Sequence, residues 1–220
     1  VNGPRGNVAD HLTKDVVPYV NSTFGVNPAA AGWGIVGWSM GGTCAVDLTV
    51  MHPDLFSAFV DIAGDLGPVA GTKEQTVARL FGGSAAAWSQ FDPTTVMNAH
   101  PSYRGVSGWF QISSDAPTQH KGNQAAAEDA VGLGGRDAGG NPGDQTAAAH
   151  ALCQLGASKG MDCAVIASPG KHDWPFAKAA FTASLPWLAA KLGTPGVAPV
   201  GFPAAGAVAP TSVAEPASGK

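Results

Sequence analysis

The sequence predicts an α/β fold in which helices pack on a mostly parallel sheet, and three observations carry that expectation. Short apolar runs recur at 32–38, 56–62, 108–113 and 162–167, each bounded by Gly, Pro or polar residues. The segments between them place apolar residues at helical rather than alternating spacing. With 220 residues and 45% hydrophobic content, the chain suits one domain with a substantial core. Strands that alternate with helices give a parallel sheet, and such sheets gather their reactive residues outside the carboxyl ends of the strands.

Taken in order, residues 7–24 read as a helix, because Val8, Leu12, Asp15, Val16, Tyr19 and Val20 fall at helical spacings. Pro18 marks a kink in it. After the turn residues Asn27 and Pro28, GWGIVGW at 32–38 is a short buried strand. Met40 to Met51 is the next helix, which His52 stops because the residue before Pro53 avoids the α region. Phe56–Ile62 is a buried strand, and 66–104 an excursion of short helices. In that excursion Thr72 and Gln75 form a capping box and Ser84 caps AAAWSQF. Gly108–Ser113 is a third strand. The Gly-rich stretch 116–143 is a mobile loop with one weak helix at 125–130. A helix at 144–159, a strand at 162–167 and a helix at 175–192 with Pro in its first turn follow. The catalytic domain is thus 1–193, and 194–220 is a Pro/Ala-rich disordered tail.

GWSMGG at 37–42 places Ser39 between glycines, but 30 Gly in the chain make a Gly-x-Ser-x-Gly match cheap. Context supplies the information. Ser39 sits where an apolar strand gives way to a helix with small residues Gly41, Gly42 and Ala45, the setting in which a serine hydroxyl projects from the edge of a sheet as a nucleophile with the next N–H, that of Met40, beside it. Asp115 follows the third strand and His172 the fourth. The resulting order Ser, Asp, His is that of α/β-hydrolases. The acid has other candidates: Asp65 also follows a strand, and Glu128 or Asp129 could fold back from the Gly-rich stretch. Because the acid must fix the tautomer of His172, a held position favours Asp115. His11, His52, His100, His120 and His150 lie in helices or loops away from such turns.

Net charge is −4 with 12 Lys plus Arg, so no basic stripe suits nucleic acid, and the partners expected are neutral or apolar acyl esters. No apolar run reaches the roughly 18–20 residues of a membrane span. Cys153 and Cys163 flank a helix-to-strand connection and are either bridged or two buried thiols, while Cys44 is a buried thiol on the helix after Ser39. The cysteines and histidines have no zinc spacing, and the chemistry calls for no metal or cofactor. Leu66, Phe81, Trp88, Phe91 and Trp174 lie nearest the proposed site in sequence and together suggest an apolar acyl groove.

GWSMGGTCAVDLTVMHPDLFSAF, RLFGGSAAAWSQFDP, PGKHDWPFAKAAFTASLPWL and VADHLTKDVVPYVNSTFGV together resemble the esterase D branch of the α/β-hydrolases, which also contains the envelope mycolyltransferases. The resemblance runs from about residue 7 to 192. It implies Ser39 as nucleophile, His172 as base and a carboxylate after the strand ending at Ser113. It also implies several strands and one oxyanion-hole N–H ahead of the first helix, and 38 residues before Ser39 do not hold four strands of about 5–6 residues with their connections. The N-terminal strands are therefore expected from a missing N-terminal part of the same protein. The resulting expectation is a serine esterase working through an acyl-enzyme. The alternatives are an acyltransferase passing the acyl group to an alcohol or sugar, and a binding module or inactive fragment. The tail and the resemblance point to a secreted or cell-envelope location.

Overall fold

A computed structural model of the chain describes residues 1–115 and 142–204. A small antiparallel hairpin, β1 (Asn2–Gly3) and β2 (Gly6–Asn7), opens the chain, an element the sequence did not announce. A continuous helical stretch follows: α1 (Val8–Asp10), a π-helical stretch (His11–Val16) and α2 (Val17–Phe24). The expected helix is present, and the response to Pro18 is a π register before it. A proline ring collides with the carbonyl of the preceding turn, and the wider turn makes room for it. Gly25, at φ 59°, ends the helix in the left-handed conformation.

The main sheet has four parallel strands in the order β3 (Gly34–Trp38), β4 (Ala58–Ile62), β5 (Ser107–Ser113), β6 (Asp162–Ser168). Each of the four expected strands is present to within two residues at its start and one at its end. Helix α3 (Met40–Met51) returns the chain from β3 to β4, and α7 (Pro142–Ser158) from β5 to β6. Three short helices, α4 (Lys73–Phe81), α5 (Ala85–Ser89) and α6 (Pro93–Ala99), lie between β4 and β5. Both expected caps form: Thr72 and Gln75 make a capping box, and Ser84 accepts from the amide of Ala87. Helix α8 (Trp174–Lys191) starts on the cap Asp173, whose carboxylate accepts from Phe176 N at 3.0 Å.

The period-2 alternation of β4 and β5 divides the core. Phe59, Phe110 and Ile112 face α3, α6 and α7 and pack on Val46, Val50, Met97 and Leu152. Ala58, Val60, Ile62 and Trp109 face α8 and pack on Phe176, Ala180, Trp187 and Leu188. A third cluster joins Ala9, Val17, Leu48, Phe56, Phe81 and Phe91 on the outer side of α3. The central β4 is buried along its whole length, whereas every residue of β3 is half-buried. Residues 192–204 form no helix or strand, but the beginning of the expected tail is packed: the ring of Phe202 stacks on Trp187 at 5.0 Å. Residues 116–141 of the Gly-rich stretch, with its expected weak helix, and residues 205–220 lie outside the described residues, and 142–143 belong to α7. None of the described helices is long and apolar enough to cross a membrane.

Candidate active site

Strand β3 delivers Ser39 to the carboxyl edge of the sheet in a conformation few residues adopt. Its φ of 55° and ψ of −124° cost an L-residue on the order of 1–3 kcal/mol. The turn is held by Ser39 N donating to Ile62 O at 2.8 Å and Thr43 N donating to Ser39 O at 3.1 Å. Tight packing explains Gly37 and Gly42, while Gly41 has open space around it. A Cβ on Gly37 would strike the Gly41 carbonyl, and one on Gly42 would strike the Asp61 carboxylate. Ala63, the other non-glycine residue at positive φ among the described residues, stands next to Ile62 on the neighbouring strand end. Backbone strain thus gathers at this one place, as it does at reactive sites.

Ser39 occupies the N-cap position of α3, where a serine hydroxyl ordinarily accepts a helix amide. It caps nothing. Instead its Oγ lies 3.0 Å from His172 Nε2, across 133 residues of sequence. The loop carrying His172 is fastened to the end of β5. Ser113 Oγ donates to Gly170 O, Ser114 N donates to Ser168 O at 2.9 Å, and Gln111 Nε2 donates to Ser168 Oγ at 3.0 Å. Gly170, at φ 142°, packs against the Phe176 ring. On the other nitrogen, Nε2 of Gln145 lies 3.3 Å from His172 Nδ1.

The structure does not bring Asp115 to His172. Its side chain is exposed, and its own amide donates to Ser113 Oγ at 3.1 Å. Among the alternatives, Asp65 is half-buried with its amide donating to Thr43 Oγ1 at 2.9 Å, and Glu128 and Asp129 lie outside the described residues. Met40 is the first residue of α3, so its N–H has no acceptor within that helix, and the residue is 74% exposed beside Ser39.

The proposed groove residues divide. Trp174 is at the site: its ring lies 4.4 Å from that of Trp38, which in turn lies 5.2 Å from His172. Leu66 is exposed on the loop after β4. Phe81 and Phe91 are corrected to core residues. They are buried, stand 5.8 Å apart in the cluster outside α3, and have half-buried Trp88 packed against them with Lys73 Nζ 4.0 Å above its ring. The short helices α4 and α5 bury their apolar faces on the side of α3 and β1, so these aromatics serve the fold. The other described histidines stand apart from the site: His11 pairs with Asp15, His52 ends α3, His100 stacks on Tyr103, and His150 is exposed on α7.

Three features were not singled out from sequence. Trp38 directly precedes the serine, and its position was signal enough. Gln145 occupies the buried stripe Gln145, Ala148, Ala149, Leu152 of α7, and a polar residue at such spacing is the signal that could have found it. Asp61 lies fully buried on β4 beneath the turn, accepting from Gly64 N at 2.8 Å, and burial pushes its pKa up to about 7. Cys153 and Cys163 are bridged, with Cα atoms 5.8 Å apart, and tie α7 to β6.

A parallel sheet with helices on both faces and a strained serine turn at its carboxyl edge, with a histidine brought to it after the last strand, defines an α/β-hydrolase fold. Residues 3–188 match the family described as Putative esterase, and the chain belongs to it. An uncharacterised protein of Corynebacterium glutamicum is 36% identical over 121 residues, covering 52% of this chain and 28% of that protein. Among solved structures, an S-formylglutathione hydrolase from Agrobacterium tumefaciens superposes with a TM-score of 0.61 at 15% identity, over 88% of this chain and 61% of that one. A ferulic acid esterase gives 0.56 at 17% identity, over 88% and 64%. MPT51 of Mycobacterium tuberculosis gives 0.53 at 16%, over 80% and 65%. The chain thus spans less than two thirds of the length of each of these proteins.

Proposed function

We propose that the chain carries the nucleophile and the base of a serine carboxylic ester hydrolase. The observation that carries this reading is the 3.0 Å approach of Ser39 Oγ to His172 Nε2 on a strained turn. His172 takes the hydroxyl proton as Ser39 attacks the ester carbonyl, and the Met40 N–H stabilises the oxyanion. The alcohol then leaves with the proton from His172, and water attacks the acyl-enzyme by the same relay. An alcohol or sugar in place of that water makes the same enzyme an acyltransferase. Exposed Met40, Leu66 and Trp174 suit an apolar acyl chain. The disulfide supports an exported location, since such bonds persist in oxidising compartments. The open side of β3 suits a further strand of the same protein from outside this chain, because β3 pairs on one side alone among the described residues.

The test is labelling with a fluorophosphonate and turnover of p-nitrophenyl esters, on this chain and on a longer product that includes upstream residues. Ser39→Ala is expected to abolish labelling, and His172→Ala to cut turnover by about 10⁴-fold or more, because members of such a pair act as a unit. Retained turnover in either folded variant overturns the reading. Added alcohol, with acylated product measured, reports the partition between hydrolysis and transfer.

A further inference from the structure

Gln145 is 3% exposed and occupies a stripe of α7 otherwise made of Ala148, Ala149 and Leu152, where an apolar side chain would pack without polar obligations. A buried amide left unsatisfied costs about 1–3 kcal/mol, so a polar residue at such a place is held by what it bonds to. Its amide nitrogen stands 3.3 Å from His172 Nδ1, on the opposite side of the ring from Ser39.

We propose that Gln145 is a positioning residue for His172, its carboxamide holding the imidazole at Nδ1 so that Nε2 stays aimed at Ser39 Oγ. The inference rests on the hydrolase reading for its catalytic consequence. To act as a base, Nε2 must carry the lone pair, which places the ring proton on Nδ1. A carboxamide serves either tautomer: its NH₂ donates to a bare Nδ1, and a half-turn about Cγ–Cδ presents Oε1 to accept Nδ1–H. It is neutral, so it orients the ring without adding charge to the imidazolium. Its placement is firm, because α7 is tied to β6 through Cys153–Cys163 and β6 leads directly into the loop that carries His172.

Gln145→Leu and Gln145→Met, which keep the volume and remove the hydrogen bond, are the variants to make in the chain that turns over esters. Both are expected to lower kcat about 100-fold, as ring misplacement does, with KM within about twofold. Gln145→Glu, which restores an acceptor, recovers most of the loss. The ¹⁵N spectrum of His172 in the same proteins is expected to show a changed Nδ1–H to Nε2–H ratio in Leu and Met and not in the parent. Unchanged kcat and an unchanged ratio in whichever of the two folds overturn the proposal. If the parent has no esterase activity the hydrolase reading fails, and the ¹⁵N ratio alone then decides for or against Gln145.

Discussion

The turns after β3 and β5 lie at the same end of the sheet and are held in opposite ways. After β3 the backbone itself is constrained: Ser39 is at positive φ, its amide is bonded to Ile62 O, and Gly37 and Gly42 leave no room for a Cβ. After β5, Ser114 and Asp115 are exposed, and among the described residues the Asp115 amide donates to Ser113 Oγ. Yet the β5 end still shapes the site, because Gln111, Ser113 and Ser114 reach across to fasten the loop of His172. One turn presents its own residue, while the other supports a residue presented by the next strand. A carboxylate placed just past a strand is therefore not enough to make it part of the site.

The contrast breaks first at Gly37. An added methyl meets the Gly41 carbonyl, and backbone cannot step aside as a side chain can. Gly37→Ala is expected to cost about 3 kcal/mol of stability, the upper range of overpacking, and to abolish Ser39 labelling in whatever fraction remains folded. Thermal melts and labelling on one preparation check this. A variant that melts and labels like the parent would show that the turn is far less constrained than its geometry states.

A second effect, smaller and dependent on pH, comes from Asp61 beneath the same turn. Its folded pKa, pushed up to about 7 chiefly by burial, exceeds the ordinary 3.8. The native state therefore holds the proton more tightly than the unfolded chain, and stability falls as pH rises through the window between those values. The penalty is complete above the folded pKa. Asp61→Asn keeps an acceptor for Gly64 N–H and removes the charge, so it is expected to gain about 2 kcal/mol over the parent at pH 8 and little at pH 4. Denaturant melts across that range test it, and parallel curves for the two proteins would remove Asp61 as the source.

What the sequence made legible follows the same division. The strands, the serine turn, the caps at Thr72 and Ser84 and the histidine before α8 were readable because each is enforced locally, by apolar runs, glycines or capping residues. Phe81, Trp88 and Phe91 were misplaced because closeness in sequence to the excursion after β4 says nothing of which face of α3 the short helices cover. Gln145 was passed over because its partner stands 27 residues away, and its one local trace is a polar side chain in a helical stripe of small and apolar residues. Trp38 was visible in the motif but read only as part of a strand.

The smallest expected effect is at Asp115, and it decides whether the β5 turn is only a support. A triad acid must bond to His Nδ1–H, and its conversion to the amide forces the wrong tautomer, a loss of about 10⁴-fold in the serine proteases where that role is known. Asp115 has its side chain in solvent and its amide on Ser113 Oγ, so removing its charge leaves the Ser113 bridge to Gly170 and the Ser39–His172 approach in place. Asp115→Asn is therefore expected to change kcat/KM by less than about threefold and stability by less than about 0.5 kcal/mol, the range of ordinary surface substitutions. Ester turnover at neutral pH, with a melt on the same sample, is the measurement. A loss of several orders of magnitude with the fold intact would mean that the turn swings inward when substrate binds, so that the two strand ends would share the chemistry after all.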